Sequence, residues 1–338
     1  MSSEVTLKDI AERLGVSAMT VSRALNNRSN VDERTRQRVI KQAREMGYSP
    51  NYVAKSLVSK KTSTIGVVVP EIAHSFFSEA IQGIESITFN DDYQLILTHS
   101  AEQKDREKKA LETLKAKRVD GILISSAQTV SDYSIYQKIV NSDTKLVFFD
   151  RCVPHIGASC IRVDDRTGSY NITKHLLEHG YRRLAYLGGP LSVSISQQRL
   201  EGYKEALRSE NIPVIEEWIM EAGFHEQESY EAMKAILNNS EEPPRAVVAV
   251  NDPVAFGAMN AIYELGYRIP EDIAIVGFSN DIRAPLMKSP LTTVIQPAYD
   301  LGKRAAQKLI SLIENNDEPP ENIELLTSLK IRNSCGCG

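Results

Sequence analysis

Two groups of residues in this chain have the types and spacing for molecular recognition. The first is His74, Phe76, Phe77, Asp150, Arg151, Asn251, Asp252 and Ser279, each just beyond a short apolar run. Aromatic faces beside carboxylate, amide and guanidinium groups suit a polyhydroxylated or planar polar small molecule. Each polar group desolvated there needs a partner that a ligand supplies. The second group is Arg23 with Ala18, Met19 and Ser22, in the run TLKDIAERLGVSAMTVSRALN at 6–26. An outward arginine there suits a bidentate contact to guanine O6 and N7, or equally a contact to a phosphate. No phosphate loop, G-x-S-x-G or H-E-x-x-H pattern occurs, so no catalytic set is expected. Gly188-Gly189 follows an apolar run, but Pro190 comes next and no G-x-G-x-x-G forms.

The elements that hold Arg23 read as short helices. Leu7, Ile10, Ala11 and Leu14 recur at helical spacing, with Thr6 as N-cap and Asp9 three residues on. Gly15 ends that helix, and Ser17 caps a second that turns Val21 and Leu25 inward and Ala18, Met19, Ser22 and Arg23 outward. This is the helix-turn-helix pattern, whose second helix enters a major groove. A third helix is expected from Asp32 to Gly47, with Val39, Ala43 and Met46 apolar and Arg34, Arg36, Arg38, Lys41 and Arg44 solvated. Residues 1–61 hold 12 Lys and Arg against 6 Asp and Glu, whereas the other 277 hold 28 against 38. A basic head on an acidic body points to a polyanion that meets the head alone. After Pro50 comes a stretch of about two helical turns, marginal by itself. Lys55, Lys60 and Lys61 keep it basic, and its Leu57 either wedges between base steps of a minor groove or packs on the next domain.

From residue 64 the pattern changes. Apolar runs at 65–69, 94–97, 121–124 and 145–149 alternate with helical segments such as 77–88 and 106–117, and runs at 184–187, 218–221, 246–249 and 273–277 repeat the scheme. Two parallel sheets covered by helices follow, hence two lobes with ligand positions beyond the carboxyl ends of the strands. The four cysteines, Cys152, Cys160, Cys335 and Cys337, have no paired zinc spacing. Free thiols in a reduced, cytoplasmic protein without a metal are expected. Cys335-Gly336-Cys337-Gly338 reads as a disordered tail. Met1-Ser2-Ser3-Glu4 begins no secretory signal, and no apolar run has bilayer length.

The run 7–26, Thr35-Arg36, Gly47-Tyr48-Ser49-Pro50-Asn51 and the pair Ala54 and Leu57 resemble the lactose-repressor (LacI/GalR) family of bacterial transcription regulators. The body resembles it too, through Val69-Pro70 leading to Phe76-Phe77, Phe149-Asp150-Arg151, HGYRRLA at 179–185, QRLEGY at 198–203, Val250-Asn251-Asp252, IVGF at 275–278 and PLTTV at 290–294. The resemblance implies an N-terminal all-α helix-turn-helix domain and an α/β effector domain of periplasmic-binding-protein fold with two parallel-sheet lobes. It implies a sequence-specific regulator, most commonly a repressor of carbohydrate-metabolism genes. A sugar or sugar derivative, or next to it a nucleoside or sugar phosphate, would alter its operator affinity, and no further cofactor is implied. Ala18, Met19 and Arg23 match base-reading positions, and the apolar pair favours thymine-methyl contact. The hinge helices of two subunits would pair at the operator centre with Leu57 inserted. Thr6, Ser17, Thr20, Ser22, Asn26, Tyr48, Asn51, Ala54 and Lys55 complete the implied DNA face.

Effector contacts are implied at Phe76, Phe77, Asp150, Arg199, Phe224, Asn251, Ser279 and Gln296. Asp150 and Arg199 would hold hydroxyls or a carboxylate, and Phe224 would stack on a sugar face, although each phenylalanine also reads as core. Ser279 departs from the family, where many members carry an acidic residue and so a stronger acceptor. His74 either replaces that acceptor in part or is a plain loop histidine. Domains are expected at 1–48 (helix-turn-helix), 49–62 (hinge helix and linker) and 63–338 (effector binding and dimerisation). One lobe would take about 63–161 and 292–320 and the other about 162–291 and 321–334, with chain crossings near 162, 291 and 321. A last strand is expected around 326–331. No leucine heptads follow it, so a homodimer on palindromic operator DNA is the expected assembly, without a membrane partner. Residues 51–59 are expected to order only when two copies are held close on DNA. A transport protein would leave the basic head unused, and an enzyme would need the missing catalytic set.

Overall fold

The computed structural model describes residues 5–26, 30–49, 61–128, 132–315 and 318–337. It divides into two compact units, 1–62 and 63–338. In the first, helices α1 (Leu7–Leu14), α2 (Ala18–Leu25) and α3 (Glu33–Glu45) close around Ile10, Val21 and Val39, whose side chains are wholly buried. The polar punctuation is local. Thr6 Oγ1 accepts the Asp9 N–H at 3.4 Å while Asp9 Oδ2 accepts the Thr6 N–H at 2.7 Å, a reciprocal capping box. Ser17 Oγ accepts from Thr20 N (3.1 Å) and Asp32 Oδ1 from Thr35 N (3.0 Å), which starts the next two helices. Gly15 and Gly47 end α1 and α3 at φ of 66° and 68°.

Leu25 packs inward on the head core, half-buried beside the deeper Ala24. Two outward assignments in this unit are corrected. Ala18 is half-buried against the head core. Arg36 is half-buried as well, its guanidinium beside Glu33 (3.4 Å) and donating to the Val31 carbonyl (3.3 Å). The expected hinge helix, with Asn51, Ala54, Lys55 and Leu57, lies outside the described residues.

The second unit opens with β1 (Thr64–Val69), α4 (Ser75–Thr88), β2 (Gln94–His99), α5 (Lys104–Ala116), β3 (Gly121–Ile124), α6 (Ser134–Val140), β4 (Lys145–Phe149) and β5 (Ser159–Val163). It continues with α7 (Asp165–Glu178), β6 (Leu184–Gly188), α8 (Ser194–Ser209), β7 (Ile219–Glu221), α9 (Glu226–Asn239), β8 (Ala246–Ala249), α10 (Asp252–Glu264) and β9 (Ala274–Phe278). β10 (Thr292–Ile295), α11 (Ala298–Glu314), β11 (Asn322–Leu325) and β12 (Ser328–Lys330) complete it. The strands form two six-stranded sheets, ordered β11-β5-β4-β3-β1-β2 and β12-β10-β9-β8-β6-β7. All pairings are parallel except that of β12 with β10. Alternating side chains feed opposite faces. Ile65, Val67 and Val69 pack toward α4 and α11, whereas Val68, Ile122 and Ile124 pack toward α5 and α6. In the second lobe Ala185 and Leu187 join α9 and α10, and Leu184 and Tyr186 join α7 and α8. This is the two-lobed parallel architecture expected of the body.

Sheet membership moves two of the expected chain crossings. β10 (292–295) pairs with β9 in the second lobe, and β11 (322–325) pairs with β5 in the first. The second and third crossings therefore fall after Ile295 and after Leu325, later than 291 and 321. The run Thr292-Thr293-Val294-Ile295, β-branched throughout, extends the second sheet before the chain can leave it. The free-thiol reading also fails for one pair. Cys152 and Cys160 form a disulfide, because the turn between β4 and β5 doubles back and sets their Cα atoms 5.9 Å apart. The Cys335-Gly336-Cys337 segment is ordered structure and not a disordered tail. Ser334 Oγ donates to the Ile275 carbonyl (2.6 Å) and accepts from Thr292 N (2.8 Å), which buries Cys335.

Ile10 is the wholly buried centre of a small three-helix unit. Ile10→Ala should destabilise the head by about 2–5 kcal/mol while the unfolding midpoint of the body stays put. Amide exchange resolved by segment checks this, and a matched loss of protection in both units would contradict their separation.

Candidate functional site

The DNA-facing candidates in the head are set by α2. Met19 (62% exposed) and Arg23 stand one helical turn apart and face solvent, so they form the outward stripe of that helix. Ser17 and Thr20 meet side chain to side chain at its start (2.9 Å), Ser22 is half-buried, and Asn26 at its end donates to the Ser22 carbonyl (2.8 Å). Thr6 is spent on the cap of α1, and Tyr48 packs its ring on the head core, where burial pushes its hydroxyl pKa up. Arg34, Arg38, Lys41 and Arg44 on α3 are exposed. The outward side of α2 thus presents one apolar and one cationic side chain, and α3 carries further exposed positive charge.

In the body, the strand ends of both sheets converge on one cleft that is partly open to solvent. The structure brings His74, Phe76, Phe77, Asp150, Arg199, Phe224, Asn251, Ser279 and Gln296 together on its walls. The first lobe supplies the turn after β1 with the start of α4, and the turns after β2 and β4. The second supplies α8 and the turns after β7, β8, β9 and β10. The lobes touch across the mouth, where Ser75 Oγ donates to Asp281 Oδ2 at 3.0 Å.

Each polar group has a defined environment. Asp150, at a φ of 61°, accepts from Ser125 Oγ (3.1 Å), and burial pushes its carboxyl up to about 6 against the pull of Arg151. Burial pushes His74 down to about 4, so the imidazole is neutral. Its Nδ1 accepts from Phe76 N (3.2 Å), which leaves Nε2 to carry the proton. Arg199 forms a buried pair with Asp165 (2.7 Å), donates to the Val250 carbonyl (2.6 Å) and lies 3.7 Å over the Phe278 ring. These bonds leave part of its five-donor fork for the cleft. Asn251 is more heavily engaged, for it caps α10 through Val254 N (2.9 Å) and donates to the Phe224 carbonyl (3.1 Å). Ser279 Oγ and Gln296 Nε2 are buried with no hydrogen-bond partner, and Ser279 holds a φ of 116°. Phe76 and Phe77 meet edge to face at 5.1 Å and serve both the first-lobe core and the cleft wall.

Further lining residues escaped the sequence reading. Glu102 grips Arg151 through both oxygens (2.7 and 2.9 Å), and that guanidinium stacks 4.7 Å over Phe224 of the other lobe. Arg151 itself belongs to the strand-end recognition group legible in the sequence, and it lines the cleft. Glu71, Ile195 and His225 line the cleft as well. A longer β2, which runs to His99, was the signal that would have placed Glu102 in a strand-end turn. Asp252, also noted at a strand end, lies behind the wall, accepting from Thr293 Oγ1 and Asp281 N (both 2.6 Å).

A helix-turn-helix unit on a two-lobed cleft protein defines the class of ligand-responsive DNA-binding regulators. Residues 6–51 match the model for bacterial regulatory proteins of the lacI family, and residues 173–335 match that for a periplasmic-binding-protein-like domain. The HTH-type transcriptional repressor PurR of Mannheimia succiniciproducens is 34% identical over 97% of this chain and 98% of its own. A lac repressor dimer bound to operator and the anti-inducer ONPF superimposes with a TM-score of 0.87 at 29% identity, covering 98% of this chain and 99% of that one. The transcriptional regulator CelR in complex with cellobiose aligns with a TM-score of 0.75 at 28% identity, over 98% and 100%. The chain belongs to the lacI family and is a ligand-responsive, DNA-binding transcriptional regulator. Among the described residues no helix is long and apolar enough to cross a membrane.

Asp150 binds its proton more tightly folded, at about 6, than as an unfolded carboxyl, at about 4. The folded state therefore holds the extra proton in that window, and this group's contribution to stability declines as pH rises from about 4 through about 6. Asp150→Asn should remove that decline. The Tm difference, variant minus wild type, should grow across the window and level off above it. A pH-independent difference would show that the carboxyl is not desolvated as described.

Proposed function

We propose that this regulator is a cytoplasmic homodimeric repressor. Its heads read the two halves of a palindromic operator, and its clefts bind a sugar or sugar derivative that changes operator affinity. It acts by binding and not as an enzyme. The observation that carries the reading is the cleft. Aromatic walls, a buried carboxyl at Asp150, a partly committed guanidinium at Arg199 and the unpartnered Ser279 Oγ and Gln296 Nε2 form a surface that a polyhydroxylated ligand completes. Phe224 offers a ring face and His74 a neutral donor. The cellobiose complex of CelR and the operator complex of the lac repressor dimer support the same division of labour.

Phe76, Phe77 and Asn251 are proposed to shape the cleft more than to grip the ligand, since their contacts are largely internal. In the head, Arg23 and Met19 are proposed to meet base edges, with Ser17, Thr20, Ser22 and Asn26 near phosphates. An effector shifts operator affinity only as far as it binds the two lobe arrangements unequally. The Ser75 to Asp281 bond across the mouth is one contact that we propose breaks when the lobes move apart.

A thermal-shift series against mono- and disaccharides should find a ligand that raises the wild-type midpoint in proportion to occupancy. Asp150→Ala and Phe224→Ala should each lose most of that rise, read against each variant's own ligand-free midpoint. Retention of the full rise in both would place the ligand elsewhere. For the head, Arg23→Ala should relax base preference at one half-site position by about 1–3 kcal/mol. A uniform loss across all sequences would make Arg23 a backbone contact.

A further inference from the structure

The second lobe carries a thiol cluster at the end opposite the cleft. Cys335 follows β12, and its neighbour Ser334 bonds Ile275 near the start of β9, whereas Ser279 at the cleft lies beyond the end of that strand. Gly336 takes a φ of 76°, which turns the chain so that Cys337 returns beside Cys335. Both thiols then face one ring nitrogen of α7. His175 Nε2 lies 3.5 Å from Cys335 Sγ and 3.3 Å from Cys337 Sγ, and the three atoms lie within 4.8 Å of one another.

We propose that His175, Cys335 and Cys337 form a zinc(II) site. Around a tetrahedral zinc with bonds of about 2.3 Å to sulfur and about 2.0 Å to nitrogen, the nitrogen-to-sulfur edge is about 3.6 Å. The observed separations fit that edge with small adjustment. Two thiolates balance the charge of the ion and one imidazole adds a third donor, a soft-to-borderline set that selects zinc over magnesium or calcium. Thr292 Oγ1 lies 3.2 Å from Cys335 Sγ and supplies an outer-sphere hydrogen bond. Cys335 is buried while His175 and Cys337 are half-buried, so the fourth tetrahedral position opens toward solvent and suits water. The bound ion would tie the chain's last described turn to α7, 160 positions earlier. Neither the cleft nor the head contributes a ligand, so the site stands or falls separately from the effector reading.

The test uses tag-free full-length protein with a non-thiol reductant, dialysed against zinc(II) and analysed for metal per chain. One zinc per chain is expected, with a rise in thermal midpoint that EDTA reverses. Cobalt(II) in its place should give the thiolate-to-metal charge-transfer band and visible bands of a tetrahedral site. Cys337→Ser and His175→Gln alter half-buried positions and should each weaken zinc binding at least about tenfold, and Cys337→Ser, with one thiolate left, should also lower the charge-transfer intensity per bound cobalt. Their EDTA-treated midpoints should match the wild type. Absence of stoichiometric zinc in the reduced wild type, or equal retention by both variants, would overturn the site.

Discussion

A buried charge must have a partner, and the pair Asp165 and Arg199 is where this body meets that demand. Asp165 begins α7, two residues after β5 delivers the chain from the first lobe to the second. Arg199 lies on α8, and its remaining bonds reach Val250 at the end of β8 and the ring of Phe278 at the end of β9. One guanidinium thus fixes the first chain crossing, two helices and two strand ends against one another. Removing either partner would strand an uncompensated charge, which costs far more than the pair contributes when intact. The cleft's second-lobe wall has its shape because this pair is satisfied.

The same helix gives the body a second address. Asp165 at one end of α7 holds Arg199 of the cleft wall, and His175, about 15 Å along the axis, faces Cys335 and Cys337. The cleft wall and the proposed zinc site therefore draw on one helix. At the cleft itself, the Arg151 to Phe224 stack and the Ser75 to Asp281 bond are two contacts that cross between lobes, and both are small enough to exchange for contacts to a ligand.

Much of this was legible in the sequence because it depends on near neighbours. Thr6 and Asp9, Ser17 and Thr20, and Asp32 and Thr35 are three apart, so their caps follow from spacing alone. The apolar runs of the central strands announced two parallel sheets, and parallel sheets confine ligands to strand ends, which is how His74, Asp150 and Ser279 could be singled out. The edges were less legible. β5, β10 and β11 are short, and β11 (Asn-Ile-Glu-Leu) alternates like any exposed segment, so the second and third crossings were misplaced. Glu102 was missed because it sits in a turn beyond a strand whose end the apolar pattern understated.

The sequence by itself determined a basic helical reader, a two-sheet body and the residues that cap and line them, since periodicity, capping and charge act over a few positions. Tertiary structure alone decided what long loops bring together. It spends Arg199 on Asp165, engages Asn251 as a helix cap, joins Cys152 to Cys160 and sets His175 beside two thiols. Those outcomes rest on which distant groups close-packing leaves within a few ångströms of each other, and no local spacing encodes that distance.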